Sequence, residues 1–234
     1  RALVVPNAND VFIAEDAHQR IYGQHVVLSR YGLKITGRSR RLILNYRTTE
    51  QNLRYAMGIL EGGAYVDSDN DAEGVVGYRS ARRGPVPQTM PAKNDDEQFA
   101  NTAELVQEWL ELGVAPGTIA ILARTNNRAK NVQDALAQHG ISAELLTSAK
   151  SHLTRPVVLT MHTAKGMEFS RVVLFDVSEG AIPLPWALQE YAPEEVGDAL
   201  LRERSLLYVA ASRARDELVV SWKGAPSSLI MRAG

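Results

Sequence analysis

Cysteine is absent from all 234 residues, which excludes disulfides and thiolate metal sites and suits a reducing cytosol. Charge of one sign is also missing: 26 Lys and Arg against 27 Asp and Glu leave a net charge of -1, so the chain is not a polycation that coats nucleic acid nonspecifically. Any nucleic-acid path must be local, drawn from clusters such as Arg38, Arg40 and Arg41, or Arg79, Arg82 and Arg83, or Arg202, Arg204, Arg213 and Arg215. No apolar run approaches the roughly 18 residues of a membrane span, and no signal-peptide pattern opens the chain. These absences predict a soluble, cytoplasmic domain with no membrane partner.

At 45% hydrophobic and 23% charged, the chain can bury one core of ordinary size, with an appended piece. The most informative stretch is Val157–Pro183, VVLTMHTAKGMEFSRVVLFDVSEGAIP. Two short apolar runs, Val157 to Met161 and Val172 to Phe175, read as buried strands around a polar turn, His162 to Glu168. A turn with His, Thr, Lys, Gly and Glu between buried strands surfaces at a sheet edge, where loops carry ligands. It is therefore a candidate site.

The rest of the chain predicts alternating strands and helices, as a parallel sheet requires. Strands are expected at Val11–Ala14, Leu42–Leu44, Val75–Tyr78, Ile119–Ala123, Ile141–Leu146 and Glu217–Trp222, with a loop rich in Pro and Arg at Ala81–Lys93. Helices are expected near Asp95–Leu112, Asn127–His139 and Val196–Ala211. Another should follow Thr48, with Thr48 and Gln51 as a capping box, Leu53, Met57 and Leu60 on one face, and a stop at Gly62-Gly63. The basic turn at residues 37–41 reads as a hinge. The opening at Arg1, without Met and with Leu3-Val4-Val5 already apolar, reads as a piece of a longer protein.

T-M-H-T-A-K-G-M-E-F, residues 160–169, resembles motif V of superfamily-one DNA helicases of the UvrD, PcrA and Rep type. E-D-A-H-Q-R-I-Y, residues 15–22, resembles motif III, with Glu15 where the family has glycine. N-Y-R-T, residues 45–48, resembles motif IV, and L-Y-V-A-A-S-R-A, residues 207–214, resembles motif VI. All four stand in the family's order.

The resemblance implies a RecA-like, P-loop NTPase type α/β fold: a mostly parallel sheet flanked by helices. Residues 1–40 would be the end of the first motor domain and 41–234 the second. It implies that Arg47 and Arg213 reach a γ-phosphate and that Gln19 reaches toward it. Tyr46 would stack on adenine, Glu168 would accept from the ribose, and Gly166 would let the backbone come close. Tyr22, His162 and Thr163 would face single-stranded DNA. Lys165 is open between a phosphate contact and a structural pair with a carboxylate.

The chemistry is apt, because a guanidinium grips phosphate bidentately, an amide donates without adding charge and a Tyr face stacks on any base. Yet no G-x-x-x-x-G-K-[ST] loop occurs in the chain, and no acidic D-E-x-Q pair follows a strand before residue 16. The chain is thus expected to hold one side of an ATP site, with the Mg2+ ligands in a missing N-terminal motor domain, and to be inactive and monomeric alone. The segment Thr147–Pro156 is too short for the family's helical accessory domain, which is expected to be absent. The implied function is an ATP-dependent helicase or translocase, 3′-to-5′ on single-stranded DNA, in repair or replication. A domain of a helicase-nuclease complex and a non-catalytic module of a decayed motor are the alternatives.

Overall fold

The computed structural model describes residues 12–22, 27–33, 40–68, 71–74, 76–150, 152–185, 188 and 195–230. In chain order the elements are β1 (Leu44–Thr49), α1 (Glu50–Leu60), β2 (Tyr65–Val66), β3 (Ala72–Glu73), β4 (Arg79–Arg82), β5 (Gln88–Ala92) and α2 (Asp95–Glu111). Then follow β6 (Ile119–Ala123), α3 (Asn126–Gln138), β7 (Glu144–Leu146), β8 (Val157–Thr160), β9 (Phe169–Leu174), α4 (Val196–Ala211) and β10 (Ala214–Lys223). Six strands form one sheet in the order β5-β10-β9-β6-β8-β7, and every neighbouring pair in it is parallel. Strands β1 and β4 form a separate parallel pair, and β2 and β3 a small antiparallel one.

The apolar runs are continuous because both faces of the sheet are covered. On one face, Ala120 and Leu122 of β6 pack with Leu53, Ile59 and Leu60 of α1 and with Leu206 and Val209 of α4. On the other, Ile119, Ile121 and Ala123 meet Ala103, Val106 and Trp109 of α2 and Val132 and Leu136 of α3. Each fully buried branched side chain contributes about 1.5–3 kcal/mol. The helices begin on side-chain caps: Thr49 accepts from the Asn52 N–H at 3.2 Å, Asn94 from Glu97 at 2.9 Å and Thr125 from Arg128 at 3.2 Å. Each such cap contributes about 1 kcal/mol.

Several sequence expectations are corrected. Residues 12–16 carry no strand, and Phe12 is 93% exposed. The strand expected at Leu42–Leu44 instead contains N-Y-R-T, so the helix cap moves from Thr48 to Thr49, and Gln51 accepts from the Gly84 N–H at 2.9 Å. The strand expected at Val75–Tyr78 is β4, at Arg79–Arg82, and the expected loop at Ala81–Lys93 holds β5, an edge of the main sheet. The expected alternation of strand and helix fails from β2 to β5, where four strands follow one another, whereas the expected connector 147–156 and turn 162–168 do join β7 to β8 and β8 to β9. Val11, Val75 and residues 37–39 of the expected hinge lie outside the described residues.

Two connections position the site. Because β8 and β9 both run parallel to β6, residues 161–168 must return from the C-terminal edge of the sheet to its N-terminal edge. The connector from β7 to β8 is seated on Gly117, where an added Cβ would lie 1.9 Å from the Leu153 carbonyl oxygen.

Candidate functional site

The return segment 161–168 is pinned along its length. Met161 donates its N–H to the Ala123 carbonyl at 2.9 Å, and Met161 and Ala164 are fully buried. The Thr160 hydroxyl accepts the Thr163 N–H at 3.1 Å and lies 2.9 Å from the Thr163 hydroxyl. Gly166 has φ +86°, a left-handed conformation costly for any residue with a Cβ, and open space surrounds it. Phe169 then donates to the Arg213 carbonyl at 3.0 Å, which brings the segment against the start of β10.

At the C-terminal edge of the sheet, His162 is half-buried beside a buried ion pair. Arg124 donates from Nε and Nη2 to Glu203 at 3.1 and 2.6 Å. Burial and the Arg124 charge pull the His162 pKa below its ordinary value, with Glu203 opposing. Tyr22, 60% exposed, lies with its ring 5.7 Å from that of His162, and its hydroxyl donates to the His162 carbonyl at 3.4 Å. Lys165 Nζ lies 5.4 Å from the centre of the Tyr22 ring and donates to the Gln19 carbonyl at 3.0 Å. Lys165 is therefore engaged with backbone and an aromatic face. Its ammonium ties the return segment to the turn Ala17–Gln19.

That turn is itself fastened. His18 is 1% exposed, with its ring among those of Tyr65, Tyr78 and Tyr208 at 4.9, 6.1 and 6.1 Å. Asp16 caps it, accepting from the His18 N–H at 3.0 Å and from the Gln19 amide at 2.7 Å. Burial raises the Asp16 pKa, but the hydrogen bonds from His18 and Gln19 outweigh it and hold the carboxyl below its ordinary value. The Gln19 amide nitrogen is thus occupied by Asp16.

Near the N-terminal edge, β1 meets the start of β10. The β1–β4 ladder is irregular between Asn45 and Thr49, so Tyr46, Arg47 and Thr48 leave the regular pairing. Their backbone groups find other partners, as they must when the ladder fails them. Asn45 Oδ1 accepts the N–H groups of Arg47 and Thr48 at 2.8 and 3.2 Å, and the Thr48 hydroxyl donates to the Ala214 carbonyl at 2.5 Å. The result is that Tyr46 is 69% exposed and Arg47 points into solvent.

Arg213 is only 5% exposed and donates to the Val209 carbonyl at 3.0 Å, the Met167 carbonyl at 3.2 Å and the Ser212 hydroxyl at 2.8 Å. Burial and the neighbouring Arg47 charge lower its pKa, while Tyr208, Glu168 and Asp16 oppose them. A guanidinium stays charged in proteins regardless. Among the described residues the Arg47 guanidinium makes no hydrogen bond or ion pair, and Glu168 stands exposed. Two like charges are thereby held close, and the Arg47 donors are open to an anion.

The geometry gathers Arg47, Arg213 and Glu168 at one end of the return segment and Tyr22, His162 and Thr163 at the other. Gln19 lies beside Lys165 within that segment. Sequence reasoning missed the pair Arg124–Glu203 and the role of Asp216, which accepts from Arg82, Arg215 and Ser170 at 2.6, 2.9 and 2.8 Å. For Arg124, a partner 79 residues away leaves no local signature.

A parallel sheet between two helical layers, with charged groups at the strand ends, defines an α/β protein consistent with the RecA-like class. Residues 142–224 match the family of UvrD-like helicase C-terminal domains. The matched range includes His162, Thr163, Gly166, Glu168 and Arg213, whereas Gln19, Tyr22, Tyr46 and Arg47 fall outside it. Over 104 residues the chain is 36% identical to the ATP-dependent DNA helicase UvrD2 of Mycobacterium tuberculosis, covering 40% of this chain and 14% of that protein. It is 35% identical over 65 residues to DNA helicase II of Escherichia coli, covering 28% of this chain and 8% of that protein. The chain thus matches only a small part of the length of these relatives. In fold it is similar to the C-terminal domain of a possible DNA helicase from Lactobacillus plantarum, with a TM-score of 0.58 and 21% identity over 81% of this chain and 94% of that one. Among the described residues no helix is long and apolar enough to cross a membrane.

Proposed function

We propose that this chain supplies one half of the nucleotide site, and part of the DNA path, of an ATP-dependent helicase or translocase. The observation that carries the reading is the open Arg47 guanidinium beside the buried Arg213, brought together from positions far apart in sequence with no carboxylate paired to Arg47 among the described residues. Arg47 and Arg213 contact the γ-phosphate, Tyr46 stacks on adenine and Glu168 accepts from the ribose. Gly166 keeps the backbone low beside the nucleotide, and Gln19 turns from Asp16 toward the phosphate when ATP is bound. Tyr22, His162 and Thr163 meet single-stranded DNA at the opposite edge.

A phosphate-loop motor domain, whose end is residues 1–40, supplies the β-phosphate cradle and the Mg2+ ligands, and residues 41–234 form the second motor domain. When bound, ATP and Mg2+ provide the phosphoryl group and the metal charge that hydrolysis needs. This chain's residues bind and orient the nucleotide and place two cations where negative charge develops. Movement in the 3′-to-5′ sense, a role in repair or replication, a cytoplasmic location and the lack of an accessory domain complete the reading, and they rest on the family resemblance.

The test is DNA-stimulated ATP turnover by the complete motor carrying Arg47→Ala or Arg213→Ala. Arginines acting on a transferring phosphoryl group contribute roughly 10³ to 10⁵ in rate. Turnover should collapse in both variants, with nucleotide binding weakened but detectable. Near-normal rates in both overturn the assignment.

A further inference from the structure

We propose that Arg82 is a positioning residue for Arg47: it fixes the segment that presents the phosphate-facing guanidinium without touching the nucleotide itself. The inference rests on the nucleotide reading given above.

The argument starts from the break in the β1–β4 ladder. Between Asn45 and Thr49 the strands stop pairing regularly, and the freed N–H groups of Arg47 and Thr48 go to Asn45. Two carbonyls remain. Ser80 donates its hydroxyl to the Thr48 carbonyl at 2.6 Å, and Arg82 donates from Nη1 to the Arg47 carbonyl at 2.7 Å. The same Nη1 lies 3.3 Å from the Arg215 carbonyl, and Nη2 donates to Asp216 Oδ1 at 2.6 Å. One planar guanidinium therefore joins the strand that carries Arg47 to the strand that begins just after Arg213.

The anchor beneath it is itself held. The second oxygen of Asp216 accepts from the Ser170 hydroxyl at 2.8 Å and from Arg215 Nε at 2.9 Å. The backbone N–H of Arg82 donates to the Ser80 hydroxyl at 3.0 Å, so the end of β4 is closed on both sides. With its terminal nitrogens committed to two carbonyls and a carboxylate, Arg82 has little left to offer a phosphate, although 39% of its side chain is exposed. A lysine keeps the charge but has no planar fork to span these three acceptors.

Misplacing a reacting group by about 1 Å can cost on the order of a hundredfold in rate. In the complete motor, Arg82→Lys should therefore lower kcat for DNA-stimulated ATP turnover by about a hundredfold while KM for ATP changes no more than a few-fold. Asp216→Asn, which loosens the anchor, should reproduce the same split, and both variants should still unfold cooperatively. Arg47→Ala is run alongside. If it loses turnover while Arg82→Lys is normal, the positioning role is overturned and the nucleotide reading stands. Normal turnover in Arg47→Ala overturns both. Normal Arg82→Lys with a dead Arg82→Gln also overturns the positioning role, since charge alone then suffices. Loss of cooperative unfolding in both Arg82→Lys and Asp216→Asn overturns it in favour of a purely structural role.

Discussion

Arg124 and Glu203 face each other as a two-point pair, Nε to Oε2 at 3.1 Å and Nη2 to Oε1 at 2.6 Å, with side chains only 14% and 8% exposed. The pair joins the end of β6 to α4 and sits beside His162, so it links the folded core to the proposed DNA edge. A buried pair contributes little relative to apolar replacements, but removing one member leaves an uncompensated charge costing about 3–5 kcal/mol.

Either Arg124→Ala or Glu203→Ala should therefore lower the unfolding free energy by about that amount, read from urea denaturation. The double variant Arg124→Met with Glu203→Leu should recover most of the loss. Additive costs in a double-mutant cycle would show that the two groups act independently.

Acid should act through several groups, Asp16 and Asp95 among them, and two of these can be separated by pH. Asp216 is raised by burial, but hydrogen bonds from Arg215, Ser170 and Arg82 bring it down to about 2 from an ordinary 3.8. A carboxyl depressed in the folded state binds fewer protons there than in the unfolded chain, so its stabilisation is present above about pH 4 and is lost as pH falls toward about 2. His162 is also depressed, by burial and Arg124, below its ordinary 6.5. The unfolded chain then takes up that proton first, and stability should begin to fall as pH drops below about 6.5. Thermal melts across pH should show both losses, with Asp216→Asn reducing the lower one, which Asp16 and Asp95 share, and His162→Asn removing the upper. A variant profile that overlays the parent's contradicts the corresponding assignment.

The 234-residue chain by itself should not hydrolyse ATP. On the proposed reading it offers an aromatic face, a ribose acceptor and two cations, but its sequence has no phosphate loop to hold the β- and γ-phosphates in line, and positioning with electrostatics supplies nearly all of this catalysis. One stack and a few exposed contacts leave an affinity of about millimolar or weaker once the entropy of association is met. Calorimetric titration and a phosphate-release assay, with and without single-stranded DNA, check both statements. Magnesium-dependent release that copurifies with the chain and vanishes in Arg47→Ala would mean that the half-site account is wrong.

What could be read in advance followed the physics of each signal. The buried strand β6 was legible to the residue, and α4 likewise, because long apolar runs and helical periodicity are local properties. The edge strand β5 was not, since Pro91 argues against a central strand and is tolerated only where a ladder hydrogen bond is dispensable. Phe12 and Ile13 misled for the opposite reason: an apolar run marks a strand only where another strand is there to pair with it. At the site, the sequence motifs pointed to Arg47 and Arg213 as individual residues. The stitching of one to the other by Thr48, Arg82 and Asp216 could not be foreseen, because hydrogen bonds to distant carbonyls leave no pattern in the chain.

The seat of the β7–β8 connector has one more consequence. This connection leaves the sheet at its outermost strand and touches down again at Leu153, whose backbone occupies the room left by Gly117. Residues 147–150 and 152 are exposed, so extra chain inserted at 147–150 displaces nothing in the interior. Lengthening a loop costs only about 0.6 kcal/mol per doubling. Residues 147–150 are thus a natural graft point: a reporter or an entire folded unit could be spliced in while the sheet keeps its register, and Gly117→Ala would instead lever the connector off its seat.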